Sequence, residues 1–508
     1  MCPFPGGANE HPPPMSDPAP SASPASPRGS VTPAPIAILG VPFDNTTMAG
    51  TLARIEAMIA SRRPHYVATA NVDFVTQAMG DVELRRILAE ADLVLCDGMP
   101  LVWASRFLGN PLPERVTGSD LTPLLLAEGE KKGWRIFFLG GAENARAAEV
   151  VRAKYPRLQL VGAYSPPFKA LLEMDHEDML RRIREARPDI LLVAFGCPKQ
   201  EKWINMHYRQ AGVPVCIGVG ATLDFLAGTV RRAPVWMRRT GLEWFFRMAQ
   251  EPRRMVRRYA TDFWVFGRGI LRQWWRFRTV RSAARKVNEV TAQSSRSGAM
   301  EVVRFPARLD AATVQQHAEL WPRLLEQQAH LLLELTDVTF IDSTGMGLLV
   351  RLQKQLRAAG RQLVLVAPPR AVVAALKLMG FADFFPVAPD LAAARDLAHA
   401  RVEERNVLPT LDLAGGTEPL AWQGDIVAAN EPEVWRLTLL QLELAAARGG
   451  ALTINLAAVR FIDSAGVGLM VRIRKEGRAR NVGVAFVEPQ PAVLNVLRIL
   501  RLESFLLG

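Results

Sequence analysis

The sequence predicts an α/β chain: a parallel-sheet domain, a basic helical segment, then two small α/β domains in tandem. Three observations carry this. Short apolar runs alternate with helical periodicity from Ile36 to about Gly228. A basic, aromatic stretch follows. One pattern then occurs twice, around the pairs Asp342-Ser343 and Asp463-Ser464.

The 508 residues fit about three domains. Hydrophobic residues at 49% and charged residues at 22% exclude a mostly disordered chain. No run reaches the roughly 18 apolar residues of a membrane-spanning helix. Cys2, Cys96, Cys197 and Cys216 are too few and too scattered for a disulfide framework or a zinc ligand set. A reducing cytoplasm is expected, with no metal and no cofactor. The N-terminus shows no basic segment followed by an apolar core, so no secretory signal is expected.

Residues 1–35 hold 11 of the 36 prolines and read as a disordered leader. Residues 36–230 form the first domain. Its expected strands are His65–Ala70, Leu93–Cys96, 135–139, 158–162, 190–195 and 215–219. Amphipathic segments such as 142–154 and 173–186 separate them, so helices cover both faces of a parallel sheet. Residues 231–286 are a basic appendage, 287–297 a polar linker, and 298–400 and 407–508 the repeats. Each repeat has a strand, an Asp-Ser-x-Gly turn, a helix, then a second strand (362–367 and 482–487) and helix.

Ligands of open α/β sheets sit beyond the carboxyl ends of the strands. Polar and glycine residues gather there: Thr69 and Asn71, Asp97 and Gly98, Gly140 and Gly141, Lys199 and Gln200, Asp224. Gly140-Gly141 could cradle a phosphate with backbone N–H groups or be a plain turn. Asp97 could act in catalysis or cap a helix. Gln200 could face a ligand or open a solvated helix. Cys96 and Cys197 read as small buried apolar residues, and Asp224 as structural.

These strings together resemble the WecG/TagA/CpsF glycosyltransferases. The matching stretches are T-A-N-V-D-F (69–74), D-G-M-P (97–100), R-V-T-G-S-D-L (115–121), F-L-G-G (138–141) and P-D-I-L-L-V-A-F-G-C-P-K-Q-E-K-W (188–203). They continue with G-V-G-A-T-L-D-F-L-A-G (218–228) and R-A-P-V-W-M-R-R-T-G-L-E-W (232–244). The resemblance implies a Rossmann-like glycosyltransferase domain. It implies inverting transfer from a UDP-sugar, of UDP-N-acetylmannosamine or UDP-hexose type, to a polyprenyl-diphosphate-linked sugar in exopolysaccharide or other surface-glycan synthesis.

By position the resemblance makes Asp97 the general base. Thr69 and Asn71 become a polar pair lining the pocket, Arg115 a diphosphate ligand, and Gln200 a donor contact. Arg232, Arg238, Arg247, Arg254 and Arg257 become candidates for closure over the site. A homo-oligomer is also implied.

The appendage carries 15 Arg and one Lys against Glu243, Glu251 and Asp262. It also holds five of the eleven tryptophans, among them Trp244 and Trp264. A solvated basic face leaves the aromatics unexplained. Nucleic-acid binding would use both features, but no nucleic-acid motif accompanies them. An anionic membrane surface also uses both, because Arg attracts headgroups and Trp sits at the interface. Trp244, Arg254, Arg257 and Trp264 are the expected membrane contacts. The expected location is the inner face of a bacterial plasma membrane, peripherally bound.

The repeats resemble STAS domains, the fold of anti-sigma-factor antagonists. The resemblance makes Ser343 and Ser464 candidate phosphorylation sites at helix N-termini, where a phosphate is favoured. The alternative is a helix start in a passive docking module. A kinase or anti-sigma-like partner would then control the chain. Two rival readings stand beside the enzyme: a STAS scaffold with an inactive transferase domain, and a nucleic-acid-binding regulator.

Overall fold

The computed structural model describes residues 33–230, 232–240, 242–250, 252–284, 292–297, 299–305, 307–382, 384–404 and 420–507. The expected leader lies outside them except for residues 33–35. So does most of the junction between the repeats.

The chain enters through a hairpin, β1 (Ile36–Ile38) and β2 (Val41–Phe43). Sequence reading passed over it because each strand has only three residues. Gly40 turns the hairpin with φ +88°, a conformation that only glycine adopts without strain.

Six parallel strands follow: β3 (His65–Ala70), β4 (Leu93–Cys96), β5 (Arg135–Gly140), β6 (Gln159–Tyr164), β7 (Ile190–Ala194) and β8 (Val215–Gly218). Their spatial order is β4-β3-β8-β7-β5-β6. All six expected strands are present, with ends shifted by at most two residues.

The strands are apolar on both faces, as a covered parallel sheet requires. Tyr66, Ala68, Val94, Phe137, Leu191 and Cys216 belong to one core. Their neighbours Val67, Leu93, Ile136, Phe138, Ile190 and Val215 belong to the other.

The covering helices are α1 (Met48–Ser61), α2 (Val72–Gly80), α3 (Val82–Glu90), α4 (Met99–Phe107), α5 (Gly118–Lys132), α6 (Asn144–Lys154), α7 (His176–Ala186), α8 (Lys199–Ala211) and the short α9 (Thr222–Leu226). Several starts are written in the sequence. Thr47, Asn71, Asp81, Thr117 and Asp175 each accept a backbone N–H in the first turn of the helix they precede. The segment expected to be helical from 173 becomes so only at His176, after a short 3-10 turn, because Asp175 caps it there.

The appendage forms α10 (Val235–Thr240), α11 (Glu243–Gln250) and the 33-residue α12 (Pro252–Ala284). One face of α12 buries Phe266, Ile270, Gln273 and Phe277. Phe263, Trp264, Leu271 and Trp275 are exposed on the remainder, Trp264, Leu271 and Trp275 at spacings of seven and four residues that keep them on one side of the helix. No helix among the described residues is long and apolar enough to cross a membrane.

Each repeat holds a predominantly parallel sheet. Among the described residues the main sheet of the first has five strands, including 293–297, which sequence reading placed in the linker, and a separate two-stranded pair joins Arg308–Leu309 to Phe340–Ile341. Segment 293–297 pairs antiparallel with Met300–Arg304, so polar residues serve as an edge strand. Among its described residues the second repeat has three strands. In each, the strand ending at Ile341 or Ile462 leads through an aspartate into a 16-residue helix, Ser343–Ala358 or Ser464–Ala479. These are called the first and second serine helices.

Candidate active site

The carboxyl ends of β3, β4, β5, β7 and β8 share one edge of the sheet. Asp97 directly follows β4 and is partly exposed. Its Oδ2 accepts the N–H of Gly118 at 3.1 Å, the first residue of α5. Thr69, at the end of β3, is buried and donates to the Gly218 carbonyl at 2.7 Å, tying β3 to β8. A side chain at Gly118 would begin 3.2 Å from the Thr69 hydroxyl, so Thr69, Asp97 and the start of α5 meet closely. Asn71 is partly exposed and caps α2 by accepting the Phe74 N–H.

The first turn of α5 also holds a charge cluster. Arg115 lies 3.4 Å from Asp120 and 3.1 Å from Glu243 of α11. Arg232 and Arg238 reach the same Asp120 at 2.7 and 3.2 Å. Three guanidiniums thus converge on one carboxylate. Burial alone would raise the Asp120 carboxyl. The Thr117 hydroxyl and the Arg232 and Arg115 charges outweigh it and hold the group below the usual aspartate range. The Arg232 Nε is buried and has no hydrogen-bond partner among the described residues. Asp120 escaped sequence reading because it stood inside the R-V-T-G-S-D-L match without a role. The signal was an acid within reach of arginines whose partner was unnamed.

Gln200 is buried, and its bonds turn inward. Its Oε1 accepts the N–H groups of Gly196 and Gly220 at 3.2 and 3.1 Å, bracing the loops after β7 and β8. Its Nε2 donates to Glu201 at 2.7 Å. Burial pushes the Glu201 carboxyl up to about 7, against hydrogen bonds from Gln200 and Cys197. Gly140 and Gly141 both take φ +82°. The Gly141 N–H is engaged by the Ala194 carbonyl at the end of β7 at 3.0 Å, which extends the β5–β7 pairing by one bond. Asp224 accepts backbone N–H groups from Ala142 and Glu143. Cys96 is buried and its thiol is pushed up to about 12 by burial.

Thr69, Asp97 and Arg115, with Arg232 and Arg238, are thus brought together around the start of α5. Gln200 and Gly140 lie along the same sheet edge as framework. Trp244 and Trp264 are exposed on α11 and α12. The side chains of Arg247, Arg254 and Arg257 lie outside the described residues. Ser343 and Ser464 are both fully buried, against other parts of the chain.

The family model described as glycosyl transferase WecG/TagA/CpsF family matches residues 36–280. The STAS domain model matches 292–394 and 420–507. The chain is 31% identical over 237 residues to an N-acetylglucosaminyldiphosphoundecaprenol N-acetyl-beta-D-mannosaminyltransferase of Staphylococcus aureus strain MW2. That match covers 46% of this chain and 91% of the relative. The protein of the same description from strain NCTC 8325 matches with the same identity and coverage.

Among solved structures, an anti-sigma-factor antagonist (STAS) domain protein from Planctomyces limnophilus is 22% identical. It covers 21% of this chain and 97% of its own, with a TM-score of 0.20. The anti-sigma factor antagonist SpoIIAA in its unphosphorylated form is 19% identical, covers 22% and 97%, and has a TM-score of 0.18.

Proposed function

The chain belongs to the WecG/TagA/CpsF family of glycosyl transferases and carries two STAS domains, and from that premise we propose that it transfers a sugar from a UDP-sugar to a polyprenyl-diphosphate-linked sugar at a membrane surface. One observation carries the reading. The first turn of α5 joins a partly exposed carboxylate, Asp97, to a cluster of three arginines. Inverting transfer needs both parts. A base takes the proton of the acceptor hydroxyl as it attacks. Positive charge stabilises the departing diphosphate.

Asp97 is the base in this reading. Asp120 and Glu243 hold Arg115, Arg232 and Arg238 in place until a diphosphate takes over their guanidiniums, which suit phosphate oxygens. Thr69 and Gln200 fix the β3, β7 and β8 ends around the reacting sugar. The S. aureus relatives' description supports an N-acetylhexosamine donor and an N-acetylglucosaminyl-diphosphate lipid acceptor. The exposed stripe Phe263, Trp264, Leu271 and Trp275, with exposed Arg268, Arg272 and Arg276 beside it, supports contact with an anionic membrane that presents that acceptor.

The test is transfer from a panel of UDP-sugars onto a polyprenyl-diphosphate N-acetylglucosamine in anionic liposomes, wild type beside Asp97→Asn. Wild-type transfer is expected with one donor. Asp97→Asn should lower kcat by about 10²–10⁴. Equal rates would remove Asp97 as base. No transfer with any donor would sink the reading.

A further inference from the structure

The second serine helix begins against the transferase domain. The Ser464 hydroxyl donates to Glu83 Oε2 at 2.8 Å, and the Ser464 N–H donates to Glu83 Oε1 at 2.5 Å. Glu83 lies in the first turn of α3, 381 residues earlier in the chain. Lys202 of α8 completes the group, 2.8 Å from both Glu83 and Asp81. Ser464, Glu83 and Lys202 are all closed off from water, with exposures of 0%, 2% and 4%.

A helix N-terminus presents free N–H groups and partial positive charge, and so attracts an anion. Here the anion is supplied in cis by Glu83. Around this centre the contact widens. Asn205 of α8 donates to Asp463 at 3.4 Å. Arg86 of α3 pairs with Asp425 at 3.1 Å, and its guanidinium lies 3.8 Å from the Phe461 ring centre. Leu172 packs on the core of the second STAS domain.

We propose that the Glu83–Lys202 pair is a docking site on the transferase domain for the serine face of the chain's own second STAS domain, and that a negative group on Ser464 releases it. The geometry sets the sign. Any anion on the Ser464 side chain stands against the Glu83 carboxylate in a site closed to water, where Lys202 is already shared between Glu83 and Asp81. Two carboxylates there repel strongly, because the local dielectric is low. Any outside protein that binds this serine face must first displace Glu83. None of these residues belongs to the proposed catalytic set, so the inference stands apart from the sugar-transfer reading.

Amide hydrogen exchange on the full chain tests it. Ser464→Asp should raise exchange together in 464–470 and 82–90, by roughly tenfold or more (about 1.4 kcal/mol of lost docking). Exchange at the start of the first serine helix, 343–350, should not change. Ser464→Asp with Glu83→Gln should restore protection in both segments, because the new carboxylate can pair with Lys202 and accept from the amide introduced on α3. Ser464→Ala should stay docked more firmly than Ser464→Asp. The proposal is overturned if Ser464→Asp leaves both segments protected. It is equally overturned if only 464–470 loosens, or if the double variant stays open.

Discussion

The two STAS domains carry the same signature and use it in the same way up to a point, then diverge. In both, the aspartate caps the serine helix: Asp342 accepts the N–H groups of Thr344 and Gly345, and Asp463 that of Gly466. In both, the glycine two residues after the serine lies against a backbone carbonyl of its own domain, Leu309 or Ile426. In both, the serine is buried against the transferase domain or its appendage.

The partners differ. Ser343 accepts from the Gln273 amide of α12 at 3.0 Å. Gln273 also bridges the hairpin by donating to Ala37 and accepting from Leu39. Ser464 meets the charged pair Glu83 and Lys202. Helix α3 lies between the two domains, since its Arg85 donates to Gly380 of the first and its Arg86 pairs with Asp425 of the second. The signature therefore fixes how the helix starts, and the facing residues decide whether docking is neutral or ionic.

Removing the central partner on each side should separate the two modes most widely. Lys202→Met leaves the buried Glu83, and the partly exposed Asp81 beside it, without their cation. Breaking a buried pair in this way costs about 3–5 kcal/mol. Gln273→Leu leaves one N–H and one C=O of the hairpin unsatisfied, at roughly 1–3 kcal/mol for such a group. Urea unfolding followed by exchange in the two serine helices checks this. Each variant should loosen its own helix, with the larger loss at the second. A larger loss from Gln273→Leu would reverse the assignment of which docking is ionic.

The sheet was largely legible because its strands are short apolar runs flanked by polar turns, and the paired Asp-Ser strings located the repeats. Thr69 and Asp97 were legible as positions, since they stand where strands end, whereas Arg115 lies between α4 and α5 and came only from the R-V-T-G-S-D-L resemblance. Three things were not. The hairpin strands are too short for a periodicity. Gln200 stood open between a ligand contact and a helix start, with the donor role given only by the resemblance, because sequence cannot show that Gly196 and Gly220 would turn their N–H groups onto it. Glu83, Lys202 and Gln273 sit in ordinary helical patterns, and their importance comes from a domain that folds 70 to 381 residues away in the chain. Such pairings depend on tertiary docking, and local sequence carries no trace of it.

A finer contrast lies in the second glycine of each signature. A Cβ at Gly347 would overlap the Pro35 carbonyl oxygen, which is backbone. At Gly468 the nearest atom would be the Leu172 Cδ2 at 3.5 Å, an ordinary contact. Gly347→Ala should therefore push the first STAS domain off the hairpin entry, at about 1–3 kcal/mol for overpacking. Gly468→Ala should stay within about 0.5 kcal/mol. Exchange of the 36–43 amides reads the first, and that of 464–470 the second. Equal tolerance at both sites would mean that the close approach at Pro35 does not hold the domain.

The smallest expected effect is in pH. Burial pushes the Asp463 carboxyl up to about 7, and the nearby Glu83 carboxylate adds to the rise. Asp342 is also raised by burial, but the Asn110 amide of the transferase domain opposes the rise. An aspartate in the unfolded chain titrates near 3.8. Between that value and about 7 the folded second domain keeps a proton that the unfolded chain gives up. Its contribution to stability is thus fully present below about pH 4, falls as pH rises, and levels off above about pH 7. Asparagine caps a helix as well as aspartate does, so Asp463→Asn should keep the helix start and flatten this slope. Glu83→Gln should shift the slope to lower pH, because it removes the carboxylate that the transferase domain contributes. Urea midpoints of the second domain between about pH 5 and 8 read both. If Glu83→Gln left the slope where it was, the proton on Asp463 would be set by its own domain alone, and the ionic character of the docking would end at Lys202.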